Sequence, residues 1–168
     1  MKRRFCALIL SAIGLLAGPQ TVFAAELDDT AIGSISQNCA SIKLRLKNIQ
    51  KTDSKNRVQL GSYYEMINTN LMLNLNLRLV KNSLANAELS EQQTSFASER
   101  ERFKTEYTNY QRELDELIDI DCRTEPKDFY SQLEKTRTHR AKVSQIISNM
   151  TAILNEHRDS VVKLRGEL

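Results

Sequence analysis

Residues 35–49 read ISQNCASIKLRLKNI, and this stretch contains two signals from which a fold can be predicted. Its apolar side chains recur at spacings of three and four residues, at Ile35, Cys39, Ile42, Leu46 and Ile49. This alternation is the period of a coiled-coil helix, because it keeps one apolar stripe turned toward a partner helix. The second signal is Cys39, which lies on the stripe and can tie the helix to a neighbour.

The same spacing continues beyond this stretch in three ladders of apolar positions. They cover residues 32–67, 89–121 and 129–168, about five heptads each. Helix breakers are rare, with five glycines and two prolines in 168 residues. Helix starts are indicated by Ser34 with Gln37, by Ser90 with Gln93, and by Pro126. The chain is therefore expected to form three long helices.

One stretch between the first two ladders has a different period. Alternate positions are occupied by leucine, at Leu71, Leu73, Leu75, Leu77 and Leu79. A period of two favours a strand, and on a helix it would place leucines on two opposite faces. In either case the stretch does not continue the first helix in a simple way. We predict an irregular cap over residues 71–89.

The first 24 residues have the layout of a secretory signal peptide. Three cations precede an apolar run from Phe5 to Ala17, Gly18-Pro19 ends that run, and Val22-Phe23-Ala24 supplies a cleavage site before Ala25. The alternative is an uncleaved membrane anchor, since the 21 residues from Phe5 to Ala25 contain no charge. We expect cleavage and an exported domain over residues 25–168.

The charge balance changes once the signal peptide is removed. The whole chain has 24 basic and 21 acidic side chains, and residues 1–24 contain three of the basic ones, Lys2, Arg3 and Arg4. The remaining domain therefore has 21 of each sign. Such a balance gives no electrostatic support for nucleic-acid binding. With 40% hydrophobic and 27% charged residues, the chain is neither a disordered tail nor a polytopic membrane protein.

Two cysteines remain in the exported domain, Cys39 and Cys122. Outside the cytoplasm such a pair is expected to form a disulfide, and two buried free thiols are the alternative. In an antiparallel hairpin a bond between them places the turn near residue 80. A break at residues 52–55 would separate the sulfurs by more than ~10 Å along the axis. We therefore favour one long first helix.

These observations predict an all-α protein, an antiparallel three-helix coiled-coil rod with an irregular cap, preceded by a signal peptide. The helices are expected at about residues 31–70, 90–121 and 126–166. In this register Asp53 and Arg140 share one layer as polar residues on apolar stripes. A polar layer of this kind fixes the register of helices at some loss of stability. A catalytic carboxylate is the weaker interpretation of Asp53, because no second acid or histidine converges there.

Residues 43–57 form a basic stretch with a net charge of +5, since six cations accompany Asp53. In the predicted register they face residues 104–118, which contain Glu106, Glu113, Asp115 and Glu116. One interpretation is that these charges neutralise each other across the two helices. The other is that the basic stretch binds an anionic lipid, a wall polymer or an acidic partner.

The sequence contains no motif of a catalytic, cofactor or metal site. His139 and His157 lie 18 residues apart, too far to line one local site. A P-loop, a dinucleotide-binding fingerprint, a nucleophile elbow and the zinc-protease and di-iron helix signatures are all missing from the sequence. We therefore expect neither an enzyme nor a bound cofactor or metal.

Three strings of the sequence are LNLRLVKN at 75–82, Ile120-Asp121-Cys122, and Pro126 followed by Phe129-Tyr130 and Leu133. They resemble a group of secreted, single-disulfide helical proteins of very small, host-attached bacteria of the candidate phyla. The similarity covers most of the exported domain, and its motifs are structural. The resemblance implies an extracellular location and an interaction role, and it implies no particular mechanism.

The leading hypothesis is a non-enzymatic, exported interaction or scaffolding protein at the cell envelope, extracellular or periplasmic, which binds a protein partner. A holdase-type periplasmic chaperone is the alternative, and an uncleaved signal would give a membrane-anchored spacer. Apolar stripes of this kind could also assemble between copies of the chain. The predicted partner surface comprises Tyr63, Tyr64, Leu71, Leu73, Leu75, Leu77 and Leu79.

Overall fold

The computed structural model describes residues 29–167, and the predicted signal peptide at 1–24 lies outside them. Every regular element in this range is helical. The elements are α1 (Asp29–Met66), a π-helical segment (Ile67–Leu73), α2 (Asn74–Lys81), α3 (Ala87–Asp119) and α4 (Pro126–Glu167). None of the helices between residues 29 and 167 combines the length and apolar character that a bilayer span needs.

The first three elements form one continuous long helix from Asp29 to Lys81. The backbone is right-handed helical at both junctions, with φ −60° and ψ −44° at Met66 and φ −63° and ψ −46° at Leu73. The prediction of an irregular cap over residues 71–89 is therefore wrong. Within residues 71–89 only residues 82–86 lie outside the helices, and α3 begins at Ala87.

The π-helical segment explains how the alternating leucines fit into a helix. Four of the buried residues in this region, Tyr64, Asn68, Met72 and Asn76, follow at intervals of four, and Ile67 and Leu79 are buried beside them. In a regular α-helix this interval drifts by about 40° per step around the axis. The wider π turn, with its i→i+5 hydrogen bonds, takes up the extra residue and keeps these side chains on one face. The leucines between them are left on the flanks.

The hairpin loop ends one helix and starts the next with local hydrogen bonds. Ser83 has a positive φ of 59°, and the Leu84 N–H donates to the Leu79 carbonyl at 2.8 Å. The Asn86 side chain accepts a hydrogen bond from the Leu89 N–H at 3.0 Å. Asn86 is therefore the N-cap of α3, and the predicted start at Ser90 is wrong because Ser90 already lies within the helix.

The helices pack in an antiparallel order. Between the first long helix and α3, Asn68 contacts Gln93 and Asp53 contacts Tyr110. In each pair the two residues lie at similar sequence distances from the hairpin loop, as expected for antiparallel helices. Between α3 and α4, Gln132 contacts Glu113 and Ser160 contacts Glu88, so this pair of helices is also antiparallel. The first helix and α4 consequently run parallel on two sides of α3.

The hydrophobic core is centred on α3. The fully buried side chains are mostly on α3 and α4, and they are Leu89, Phe96, Phe103, Leu114, Leu117, Cys122, Phe129 and Met150, with Met72 from the π-helical segment. In the 38 residues of α1 only Cys39, Leu46 and Tyr64 are buried. Packing is most extensive between α3 and α4, and α1 contacts α4 only sparsely. One flank of the three-helix arrangement is therefore open.

A disulfide joins the first part of α1 to the connection that follows α3, at residues 120–125. Cys39 and Cys122 have Cα atoms 5.4 Å apart, and both side chains are buried. The bond holds the part of α1 that is farthest from the hairpin loop.

Candidate functional site

The open flank between the first long helix and α4 forms a groove with α3 as its floor. We call it the α1–α4 groove. Two neighbouring cavities share Tyr110, Arg137 and Arg140 and form its lower and middle parts. A third cavity lies farther along the same flank, near the hairpin loop, and forms its upper part. From Ile35 to Leu60 the groove follows about 37 Å of helix.

The lower part of the groove is an apolar trough with a cationic rim. Its volume is about 420 Å³. The apolar lining comes from all three helices, and its members are Ile35, Ile42, Leu46, Ile49, Leu114, Phe129 and Leu133. Arg45 lies on one side and Arg137 and Arg140 on the other, and Tyr110 and Thr136 complete the lining. Such a site favours a ligand with an apolar body and negative charges at its edges.

The middle part contains a polar cluster around Asp53, in a cavity of about 490 Å³. The Tyr110 hydroxyl donates to Asp53 Oδ2 at 2.7 Å, and the Tyr107 hydroxyl donates to the Asp53 backbone carbonyl. Arg140 Nη2 lies 3.6 Å from Asp53 Oδ2. The structure thus brings together the two residues of the predicted polar layer, and Tyr107 and Tyr110 of α3 complete the cluster.

This cluster lies at the surface of the groove and is not enclosed by three helices. The Arg140 side chain is 59% exposed, whereas that of Asp53 is 14% exposed. The Asp53 carboxylate accepts a hydrogen bond from Tyr110 on its buried side and contacts Arg140 on its solvent side. A ligand lying in the groove would cover this polar cluster.

The environment of the two tyrosines favours their neutral form. Burial, and then the nearby Asp53 charge, raise the pKa of Tyr107 to about 12. Burial together with the hydrogen bond to Asp53 raises the pKa of Tyr110 further. A phenol with a raised pKa is a poor base or nucleophile at neutral pH. At neutral pH both hydroxyls therefore keep their protons and donate hydrogen bonds to Asp53.

Replacing Asp53 by Asn tests this account of the cluster. Asparagine keeps an acceptor for the Tyr110 hydroxyl but removes the charge, so the pKa of Tyr110 should fall while staying above its ordinary value, because burial is the larger cause. Ultraviolet titration of the Asp53→Asn variant against the parent chain measures this shift. An unchanged tyrosine titration would contradict the proposed role of the Asp53 charge.

The raised pKa values of Tyr107 and Tyr110 also determine how the free energy of unfolding changes at alkaline pH. An unfolded chain releases tyrosine protons near pH 10, whereas folded Tyr107 releases its proton only at about 12. The stabilisation is therefore fully present below pH 10 and is lost as the pH rises toward 12. The loss should be smaller in Asp53→Asn, and urea unfolding across this range measures it.

The upper part of the groove is about 410 Å³ in volume and mainly apolar. Leu71 and Leu75 from the first helix face Val161 and Val162 from α4. Arg78, His157 and Arg158 also line it. His157 is buried, and this burial lowers its pKa. The predicted partner surface coincides with the groove only at Leu71 and Leu75.

The other members of that predicted surface are divided between the core and the outer faces. Tyr64 and Leu79 are buried, and Tyr64 packs its ring against Phe96 and Phe103. Tyr63, Leu73 and Leu77 are exposed. The seven residues therefore do not form one continuous surface, because the helix distributes them around its axis.

The basic stretch at 43–57 is not neutralised by α3 in the way that one interpretation expected. No ion pair between described residues joins its cations to an acid of α3. Glu106 instead contacts His139 and Lys142 of α4, and Glu113 contacts Arg112 and Gln132. Arg57 donates to the neutral side chain of Gln111 at 2.6 Å. The cations of α1 remain available to solvent or to a partner.

Within residues 29–167, no group of three or more histidine, cysteine or acidic side chains is arranged to hold a metal ion. No protein-family model, curated protein or solved structure matches the chain significantly. The chemistry of the groove is accordingly the basis for a functional proposal.

Proposed function

We propose that this protein is a non-enzymatic, exported interaction module that binds an amphipathic helix of a partner protein in its α1–α4 groove. The observation that supports this most directly is the half-buried state of apolar side chains along both sides of the groove. These side chains are Ile35, Ile42, Ile49 and Leu60 on α1 and Leu133 and Ile147 on α4. They have the spacing of a helix-packing stripe, yet α1 and α4 do not cover each other.

A fourth helix is the occupant that fits this spacing. Helices pack at interaxial distances of 8–10 Å by inserting side chains between those of a neighbour. An amphipathic helix in the groove would complete a four-helix arrangement and place its apolar face on the half-buried residues, a common mode of peptide recognition. The polar cluster at Asp53 would then fix the register of the bound helix, as polar layers do in coiled coils.

The location and assembly of the protein belong to the same proposal. The heptad spacing supports a coiled-coil arrangement of the helices. A disulfide between Cys39 and Cys122 is typical of an oxidising compartment, and it supports the interpretation of residues 1–24 as an export signal. A scaffolding role at the cell envelope is consistent with both.

Photo-crosslinking in the native envelope tests the proposed surface. A photoreactive residue at Ile49 or Leu133, both in the groove, should give a defined adduct with one partner. The matched control is Leu44, which lies on α1 and is 63% exposed, so it reports non-specific apolar contact. Adducts from Leu44 alone, or equal adducts from all three positions, would contradict a groove-specific partner.

A holdase-type chaperone remains a second candidate because several large apolar side chains are exposed outside the groove. They include Leu44, Val58, Leu77 and Val80. A holdase binds unfolded chains through any such surface, so Leu44→Glu should reduce suppression of client aggregation as much as Ile49→Glu does. For a groove-specific module, only Ile49→Glu should affect binding.

A further inference from the structure

The charged residues that line the α1–α4 groove are almost all of one sign. Across its three parts the lining contains Arg45, Arg78, Arg137, Arg140 and Arg158. Asp53 is the only acid in that lining. Because the domain at residues 25–168 has equal numbers of basic and acidic side chains, this excess reflects where the charges are placed.

The single acid does not offset the arginines. Asp53 already accepts from Tyr110 and contacts Arg140. Among the described residues, no ion pair involves Arg45 or Arg78. The groove therefore keeps a positive rim.

Two further arginines have only weak local partners. Arg137 contacts Glu134 and Arg158 contacts Asp159, each within its own helix and with both side chains about half exposed or more. Exposed pairs of this kind contribute little to stability and exchange easily for another carboxylate. These arginines can therefore turn toward an anionic partner at little cost.

The opposite side of the α3–α4 pair has a different charge composition from the groove. A cavity there is lined by both signs, Glu101 and Glu106 with Arg102 and Lys142. Local ion pairs link Lys104 to Glu101 and Lys142 to Glu106. The excess of arginine is thus a property of the groove.

We infer that the helix bound in the α1–α4 groove is acidic, with an apolar stripe flanked on both sides by Asp or Glu. This inference rests on the proposed function, which states that a partner helix binds in the groove. The inference adds that the bound helix is negatively charged. The apolar stripe would pack on Ile42, Ile49 and Leu133, while the flanking carboxylates would meet the guanidinium groups of the rim. Arginine suits this role because it binds a carboxylate with two parallel hydrogen bonds.

Two synthetic peptides provide the probe. Both have about 28 residues, four heptads or roughly 42 Å of helix, and share one leucine stripe. One has Glu at every flanking position and the other has Lys. Fluorescence anisotropy with the intact, oxidised domain should show at least tenfold tighter binding of the Glu peptide, with affinity falling as salt is added.

Charge reversal locates the effect on the rim. The double variant Arg45→Glu/Arg137→Glu should weaken Glu-peptide binding about tenfold and reduce its salt dependence. Arg112→Glu is the matched control, since Arg112 is 60% exposed, compared with 62% for Arg137, and also pairs with neighbouring acids on its own helix. Arg140 is left intact because it contacts Asp53. Circular dichroism melts verify that all variants fold.

The outcomes separate the inference from the function on which it rests. Equal binding of both peptides, lost in Ile49→Glu, would overturn the acidic helix and leave the groove as a helix-binding site. Failure of both peptides to bind would overturn both. Binding of phosphatidylglycerol vesicles that depends on Arg45 and Arg137, without binding of the Glu peptide, would also overturn the inference in favour of a lipid surface.

Discussion

Loss of the Cys39–Cys122 disulfide is expected to lower the midpoint of thermal unfolding by about 15 °C. The bond joins residues separated by 83 positions in the sequence. On the chain-entropy estimate, a loop of this length restricts the unfolded chain enough to contribute ~4.5 kcal/mol. For a domain of this size, each kcal/mol corresponds to about 3–4 °C. Melts followed by circular dichroism, with and without a reductant, measure the difference.

The damage should be concentrated in the amino-terminal half of α1. Between Asp29 and Leu60 only Cys39 and Leu46 are buried, so few contacts hold this segment once the bond is broken. The α3–α4 pair keeps its own core of Phe103, Leu117 and Met150. Hydrogen exchange on the reduced protein should therefore show early loss of protection at residues 29–50 and retained protection in α3 and α4.

The control for this prediction separates the bond from the side chains. Both cysteines are buried, so serine replacements also bury a hydroxyl group. Reduction of the unmodified chain avoids that effect, and the Cys39→Ser/Cys122→Ser double variant should melt at or below the temperature of the reduced chain. A melt that is unchanged by reductant would contradict the assigned contribution of the bond.

The order of the helices could be predicted because two independent sequence features agree. The three apolar ladders indicate three long helices, and the structure is all-helical with three long helical segments. Placing Cys39 next to Cys122 then requires a turn near residue 80, and the loop is found at residues 82–86. Pro126 begins α4, as expected for a residue that lacks an N–H and favours the first helical turn.

The alternating leucines misled the prediction because a local period does not reveal what lies opposite each side chain. The helix continues through them by forming the π-helical segment, and it buries Asn68 and Asn76 in place of several leucines. Gln93 donates to the side-chain oxygen of Asn68, and Asn76 donates to the Leu89 carbonyl while its own Oδ1 is buried without a partner. These hydrogen-bond partners are residues of α3 that lie 13 to 25 positions away in the sequence, and no sequence pattern near Leu75 predicts them.

The groove was missed for a related reason. Heptad spacing shows which side chains share a face, but it gives no distance between two helices that both pack on a third. Ile49 and Leu133 were expected to lie on stripes covered by neighbouring helices, and the structure leaves them lining a cavity. Among the arginines of the rim, Arg45 belongs to the basic stretch at 43–57. Their alignment along one groove depends on the parallel placement of α1 and α4.

Truncation of Phe103 to alanine is expected to destabilise the protein by about 3–5 kcal/mol, the range for removing a fully buried phenylalanine. Phe103 is 1% exposed. Its ring centroid lies 5.5 Å from that of Tyr64, with an interplanar angle of 84°, and 5.3 Å from that of Tyr107. Edge-to-face pairs of this geometry add about 0.5–1.5 kcal/mol each beyond the buried area. Urea unfolding measures the total change.

The effect of Phe103→Ala should also reach the groove, because Phe103 lies between a residue of α1 and the tyrosine that donates to Asp53. Removing its ring frees Tyr64 and Tyr107 to move, so α1 should loosen from α3 and Tyr107 should titrate closer to an ordinary tyrosine. Val58→Ala is the control, since Val58 is on the same helix as Tyr64 but 67% exposed and should change stability by less than about 0.5 kcal/mol. Phe103→Leu should lie between the two variants. If Phe103→Ala and Val58→Ala destabilised the chain equally, the core could not be centred on α3, and the open flank would lose its structural basis.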